Sequence, residues 1–310
     1  MIEATSLVKR HGTTTALDGV DLTTTPGRVT ALLGPNGSGK TSAFRIIAGL
    51  DRPDSGSVLI AGRPLSAWGR PAAVLGALVD GPAAHPTWRV DEQLHIVGCA
   101  AGVRPARVEQ VMAEADLHGY RDRRGRELSL GMRQRLGIAM ALLGQPTALV
   151  LDEPANGLDP AAMQWLRSTL HRHAANGGTV LFSSHLMHEV ESLADDLVVI
   201  VRGRVAWRSS LTEFIEAHAT PTTAVSGPQL ARLVDLLPPR ASVQVVDDAE
   251  LRVTGISRAL VGRIAFEARC ELSELRSIVP PLEEIYLSFV ADCESRDSLD
   301  DARRELQGVR

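Results

Sequence analysis

Lysine is almost absent from this chain. Its 310 residues carry 33 basic side chains, and all but Lys9 and Lys40 are arginine. Aromatics are also scarce, at 4%, so a core has to be built from Val, Leu, Ile and Ala within an ordinary hydrophobic content of 44%. The three cysteines, Cys99, Cys270 and Cys293, are far apart and odd in number. They have no metal-ligand spacing and read as free thiols of a reducing compartment. No apolar run approaches the ~20 residues that cross a bilayer, and the start, MIEATSLVKRHG, lacks the apolar centre of a secretory leader. A net charge of −4 gives no general attraction to nucleic acid. The Ala-, Arg- and Gly-rich usage fits a GC-rich bacterial genome. The length allows about two domains.

One of the two lysines sits where an ammonium is chemically required. Gly34 to Thr41 reads GPNGSGKT and fills the pattern G-x-x-x-x-G-K-[ST] at every specified position. An apolar run, Val29 to Leu33, leads into it, and a helical pattern, Thr41 to Leu50, follows. This is the strand–loop–helix context that a phosphate-binding loop needs. Glycines let backbone N–H groups approach phosphate oxygens, and the helix N-terminus adds its positive end. Gly34, Pro35, Asn36, Gly37, Ser38, Gly39, Lys40, Thr41 and Ser42 form the expected nucleotide-binding set. Lys40 would reach the β- and γ-phosphates and Thr41 would hold Mg²⁺.

Strands alternating with helices predict a mostly parallel sheet covered on both faces. Residues 1 to about 30 read as β, with a Thr-rich hairpin-like stretch. Ser57–Ala61, Val74–Val79, Ala148–Leu151, Thr179–Phe182 and Leu197–Val201 read as strands. Residues 90–143 change character, with helical periods at Val90–Ala101, Pro105–Ala115 and Ser129–Leu143, which predicts a helical subdomain inserted into an α/β core. The expected division is a nucleotide-binding domain over 1–217, a small α/β accessory domain over 218–291, and a frayed, charged tail over 292–310.

Two further pieces carry chemistry. In ALVLDEP, Ala148 to Pro154, an apolar strand ends in two carboxylates. Asp152 would bind Mg²⁺ and Glu153 would orient or deprotonate an attacking water, a sensible division of labour for phosphoryl transfer. In LSLGMRQRLGIAMALL, Leu128 to Leu143, Ser129 reads as the N-cap of a helix. Such a terminus is an anion site, and beside a complete phosphate loop it would serve a second nucleotide held jointly by two subunits. A capped amphipathic helix is the alternative.

In combination these pieces resemble an ATP-binding cassette (ABC) transporter ATPase subunit. GPNGSGKT matches the Walker A motif, LVLDE the Walker B motif, LSLGM the LSGGQ signature, NGLDP the D-loop, and SSH at Ser183 to His185 the H-loop. They follow family order and cover residues 1 to about 215. The resemblance implies an α/β P-loop NTPase fold with a mixed sheet and a helical subdomain. It implies that Ser129 and Gly131 touch the γ-phosphate of ATP held by the partner subunit, that His185 contacts the γ-phosphate in its own subunit, and that Asp159 couples the two sites. Glu153, His185 and Lys40 would be catalytic. Leu130 and Met132 stand where the commonest signature has Gly and Gln. At the Q-loop position Asp80 replaces Gln, within reach of the nucleotide and Mg²⁺. His11 replaces the Tyr that stacks on adenine.

PPLEEIYLSFV, Pro280 to Val290, is similar to the end of daunorubicin- and bacitracin-resistance-type export ATPases. The expected function is therefore the ATP-hydrolysing subunit of a bacterial exporter, a head-to-tail dimer with ATP and Mg²⁺ as cofactors. It would be cytoplasmic and peripheral on the inner membrane face through a separate polytopic permease, with no nucleic-acid partner. The alternatives are a non-transport ABC ATPase acting on nucleic acid or ribosomes, and a non-catalytic ATP sensor.

Overall fold

The computed structural model describes residues 1–81, 84–247 and 250–308, with side chains as far as 295. The chain divides into two compact units, one of Met1–Leu211 with Cys293–Arg310 and one of Thr212–Asp292.

The first unit is built on two sheets. β1 (Ile2–His11) and β2 (Thr14–Thr23) form the Thr-rich hairpin, closed by a tight turn with Gly12 at φ 59°. β4 (Ser55–Ile60) pairs antiparallel on the other edge of β1. The second sheet contains β3 (Val29–Leu33), β5 (Leu75–Leu78), β6 (Ala148–Leu151), β7 (Thr179–Ser183), β8 (Asp196–Val201) and β9 (Arg204–Ser210). Its order is β5-β6-β7-β3-β8-β9, parallel except for β9. Strands β3, β6 and β7 are buried at every residue, which is why they read as continuous apolar runs. β9 went unread in the sequence. It alternates between exposed and half-buried positions on an antiparallel edge, and its RVAWRSS pattern has little apolar contrast.

α1 (Lys40–Ile47) buries Ala43, Phe44, Ile46 and Ile47 against this sheet. Each large apolar side chain there contributes about 1.5–3 kcal/mol. The inserted subdomain consists of α2 (Val90–Ala100), α3 (Pro105–Glu114) and α4 (Leu130–Leu142). It has its own core, with Leu94, Val111, Met112 and Leu136 at its centre. α5 (Pro160–Ala175) and α6 (Met187–Leu193) are the crossovers after β6 and β7.

The second unit begins in α7 (Leu211–His218), earlier than the expected boundary at Ala217. Then follow β10 (Thr222–Ser226), α8 (Leu230–Val234), β11 (Ser242–Val245), β12 (Glu250–Thr254), α9 (Arg258–Glu267) and β13 (Glu274–Ile278). The order β11-β12-β10-β13, all antiparallel, makes a βαββαβ sandwich of ferredoxin-like type. One sheet face packs Val225, Leu251 and Val253 against Leu233 and Val261 of the helices. The described part of the tail expected to fray is assigned to a helix. α10 runs Leu282–Gly308, because no proline or glycine interrupts the chain before Gly308. Residues 309 and 310 lie outside the described residues.

Candidate active site

Ligands of open parallel sheets gather at the carboxyl ends of the strands. Here β6, β7 and β3 are neighbours, and each ends in a residue of the expected site. Gly34 follows β3, Asp152 and Glu153 follow β6, and Ser183 closes β7. The sheet order thus brings together segments more than a hundred residues apart in sequence.

The loop after β3 enters α1 through Gly39, which takes a left-handed φ of 104°. A Cβ there would run into the carbonyl of Ala16, so only glycine lets the loop lie this close to the β1–β2 hairpin. Lys40 folds back over the loop, with Nζ donating to the carbonyls of Gly34 (2.6 Å) and Pro35 (3.1 Å). A cleft of about 350 Å³ opens beside it, lined by Ala16, Asn36, Gly37, Gly39, Lys40, Thr41, Ser42, Asp152 and Glu153. Ser38 Oγ is buried without a hydrogen-bond partner in the same loop.

The two carboxylates are held differently. Asp152 is buried. Ser183 Oγ donates to its Oδ1 at 2.5 Å, and Thr41 Oγ1 faces its Oδ2 at 3.4 Å. Burial pushes the Asp152 carboxyl above its ordinary value, and the Ser183 hydrogen bond opposes that rise. Burial likewise lowers the Lys40 ammonium, against the pull of Glu153 and Asp152. Glu153 has φ 51°, a left-handed conformation costing about 1–3 kcal/mol. Its N–H donates to Ser183 Oγ (2.8 Å), and its carbonyl accepts from Gln134 Nε2 (2.7 Å). Its side chain accepts from, or donates to, His185 Nδ1 at 2.7 Å. An ammonium, a threonine hydroxyl, two acids and a histidine converge on one polar cleft, which fits a magnesium–triphosphate. Mg²⁺ takes one or two protein oxygens and completes its octahedron with phosphate and water.

Four of the expected site residues have other partners. His11 stands near the cleft, with Nε2 3.2 Å from Ser42 Oγ. Asp80 has φ 65° and is paired with Arg45, which also binds Asp51 (2.7 Å). A metal role for Asp80 requires that pair to open. Asp159 caps α5, accepting from the N–H of Ala162 at 2.7 Å. Ser129 caps α4 and accepts from Met132 N at 3.2 Å. Gly131 lies against the carbonyl of Gly157, and the side chain of Leu130 occupies the space a Cβ on Gly157 would need. The sequence reading passed over Gln134, Arg45 and the double role of Ser183. The signal for Ser183 is its place at the end of the strand next to the one carrying Asp152. Nothing in the sequence marks Arg45.

The fold and cleft define a P-loop ATPase. Residues 17–156 match the family model described as ABC transporter, and residues 221–283 match a domain of unknown function, DUF8746. The chain is 35% identical over 205 residues to the lantibiotic transport ATP-binding protein SrtF of Streptococcus pyogenes, covering 66% of this chain and 89% of that protein. It is 34% identical over 247 residues to the Nod factor export ATP-binding protein I of Cupriavidus metallidurans, covering 78% and 82%. Among solved structures, an ATP-binding subunit of an ABC transporter superposes with a TM-score of 0.64 at 26% identity, covering 70% of this chain and 92% of that one. A dimeric bacterial ABC cassette shares the fold, with a TM-score of 0.61 at 23% identity over 68% of this chain and 99% of that one. This chain belongs to the ABC transporter family, as an ATP-binding subunit and an ATPase.

Proposed function

We propose that the chain powers a bacterial exporter, as one of two cassettes that close on two ATP molecules and drive separate membrane subunits. The observation that carries the chemistry is the placement of Asp152 and Glu153 on the wall of the cleft that Lys40 and Thr41 also line. Thr41 and Asp152 would hold Mg²⁺, which neutralises phosphate charge in the transition state. Glu153 orients and deprotonates the attacking water, and His185 keeps the Glu153 carboxylate aimed. Lys40 exchanges its bonds to Gly34 and Pro35 for phosphate oxygens. Ser129 and Gly131 at the α4 terminus, with Asp159, would face the nucleotide of the partner subunit. Export is supported by two relatives whose names state lantibiotic transport and Nod factor export. Among the described residues no helix is long and apolar enough to cross a membrane, so a translocation path would belong to other subunits.

Glu153→Gln tests this reading. It keeps the shape and the main-chain bonds, so ATP binding should persist, while turnover falls at least about a hundredfold. MgATP should then trap a closed dimer on size exclusion. Turnover near that of the unmodified protein would refute the role of Glu153, and monomer throughout would refute the closed pair.

A further inference from the structure

The βαββαβ unit leaves one face of its sheet uncovered by its own α8 and α9. The register puts Val243, Val245, Leu251, Val253 and Val225 on the helix side. The alternate residues therefore point the other way, and apart from Ala224 on β10 and Ile278 on β13 they are polar, among them Ser242 and Gln244 on β11, Arg252 and Thr254 on β12, and Thr222 on β10. They line a cavity of about 310 Å³ that also takes in Glu284 from the first turn of α10. A volume of this size is at the low end for small-molecule sites.

The charges on this face do not balance locally. Arg276 has two acids, Glu274 Oε1 at 3.1 Å and Glu250 Oε2 at 3.5 Å. Among the described residues Arg252 pairs only with Glu250, whose Oε1 lies 3.9 Å from Nε, and that buried Nε makes no hydrogen bond. Thr222 Oγ1 is already bonded to the carbonyl of Thr220. The two terminal nitrogens of Arg252 make no hydrogen bond among the described residues, and a planar guanidinium grips a carboxylate through two parallel bonds. Glu284 brings the opposite charge to the same cavity, where it favours an ammonium. Ile278 and Pro280 supply a small apolar wall.

We propose that this cavity binds a free α-amino acid, with Arg252 on its carboxylate, Glu284 on its ammonium and Ser242, Gln244 and Thr254 completing the hydrogen bonds. A simple carboxylate or inorganic phosphate would satisfy Arg252 and leave Glu284 facing its charge. The zwitterion satisfies both.

The test is isothermal titration calorimetry on the full chain with the twenty L-amino acids, followed by the deaminated carboxylate and the amide of any that binds. At least one amino acid is expected to saturate below about 1 mM. Arg252→Gln and Glu284→Gln should each weaken it at least tenfold, while far-UV circular dichroism and the thermal melt match those of the unmodified protein and show the variants folded. Absence of saturation for all twenty up to 10 mM overturns the proposal. So does equal affinity for the deaminated carboxylate, because Glu284 then has no role.

Discussion

Ser183 closes β7 and is fully buried. Its hydroxyl donates to Asp152 (2.5 Å) and accepts from the N–H of Glu153 (2.8 Å), so Ser183→Ala removes both bonds at once. A hydrogen bond to a buried charge contributes about 1.5–3 kcal/mol, and a buried N–H left without an acceptor costs about 1–3 kcal/mol. The expected loss is therefore about 4 kcal/mol. A unit of this size loses about 2–4 °C of Tm per kcal/mol, so the melt should fall by roughly 8–16 °C. The effect depends on pH in a defined sense. Burial has raised Asp152, and Ser183 pulls it back down, so the variant raises it further. The difference between the two proteins is largest where Asp152 is ionised, and it shrinks as pH falls through the raised values. Thermal melts from pH 8 to pH 5 read this directly, with Ser168→Ala as control. Ser168 is exposed, donates to the Gln164 carbonyl and should change stability by less than about 0.5 kcal/mol. A loss under about 1 kcal/mol at pH 8, or a difference that grows towards acid, would refute the argument.

Asp152→Asn should behave in the opposite way. It removes a buried charge and keeps an oxygen for Ser183, so the nucleotide-free protein should melt at least about 2 °C higher at pH 8. That gain should vanish as pH falls through the raised value, and Mg²⁺-dependent ATPase should drop about a hundredfold or more. Gln134→Ala frees the carbonyl of the strained Glu153. We expect about a tenfold lower kcat with KM for ATP within about twofold, and an unchanged kcat would show that Ser183 alone fixes the peptide. Arg45→Gln releases Asp80 and should lower the Mg²⁺ concentration for half-maximal activity, while Asp80→Asn raises it. Identical Mg²⁺ titrations in all three proteins would assign Asp80 a purely structural pairing with Arg45.

The parallel core was legible because fully buried strands announce themselves. Val29–Leu33 and Ala148–Leu151 have no polar face, and each runs straight into its chemical residues. The loop glycines, Lys40 and the Asp152–Glu153 pair each form a short local pattern in the sequence, and the structure places residues of both patterns on one cleft. What stayed hidden is what the sheet order creates. Ser183 is next to Asp152 only because β7 lies beside β6, and Gln134 reaches Glu153 only because α4 ends up against that turn. Arg45 falls on the partly exposed side of α1, where an arginine is unremarkable until Asp80 is placed opposite it. Charge density suggested fraying in the tail, and helix α10 takes in most of it because 282–307 lacks a stop signal.

The contact between Gly131 and the turn at Gly157 constrains how this chain can vary. Residue 131 can carry no side chain while the Gly157 carbonyl lies against it, and residue 157 can carry none while Leu130 fills the space beneath. Substituting Leu130 with glycine would open room at 157 but leave 131 closed. These three positions are therefore coupled by direct contact, and a larger side chain at any one of them has to be accommodated by the other two.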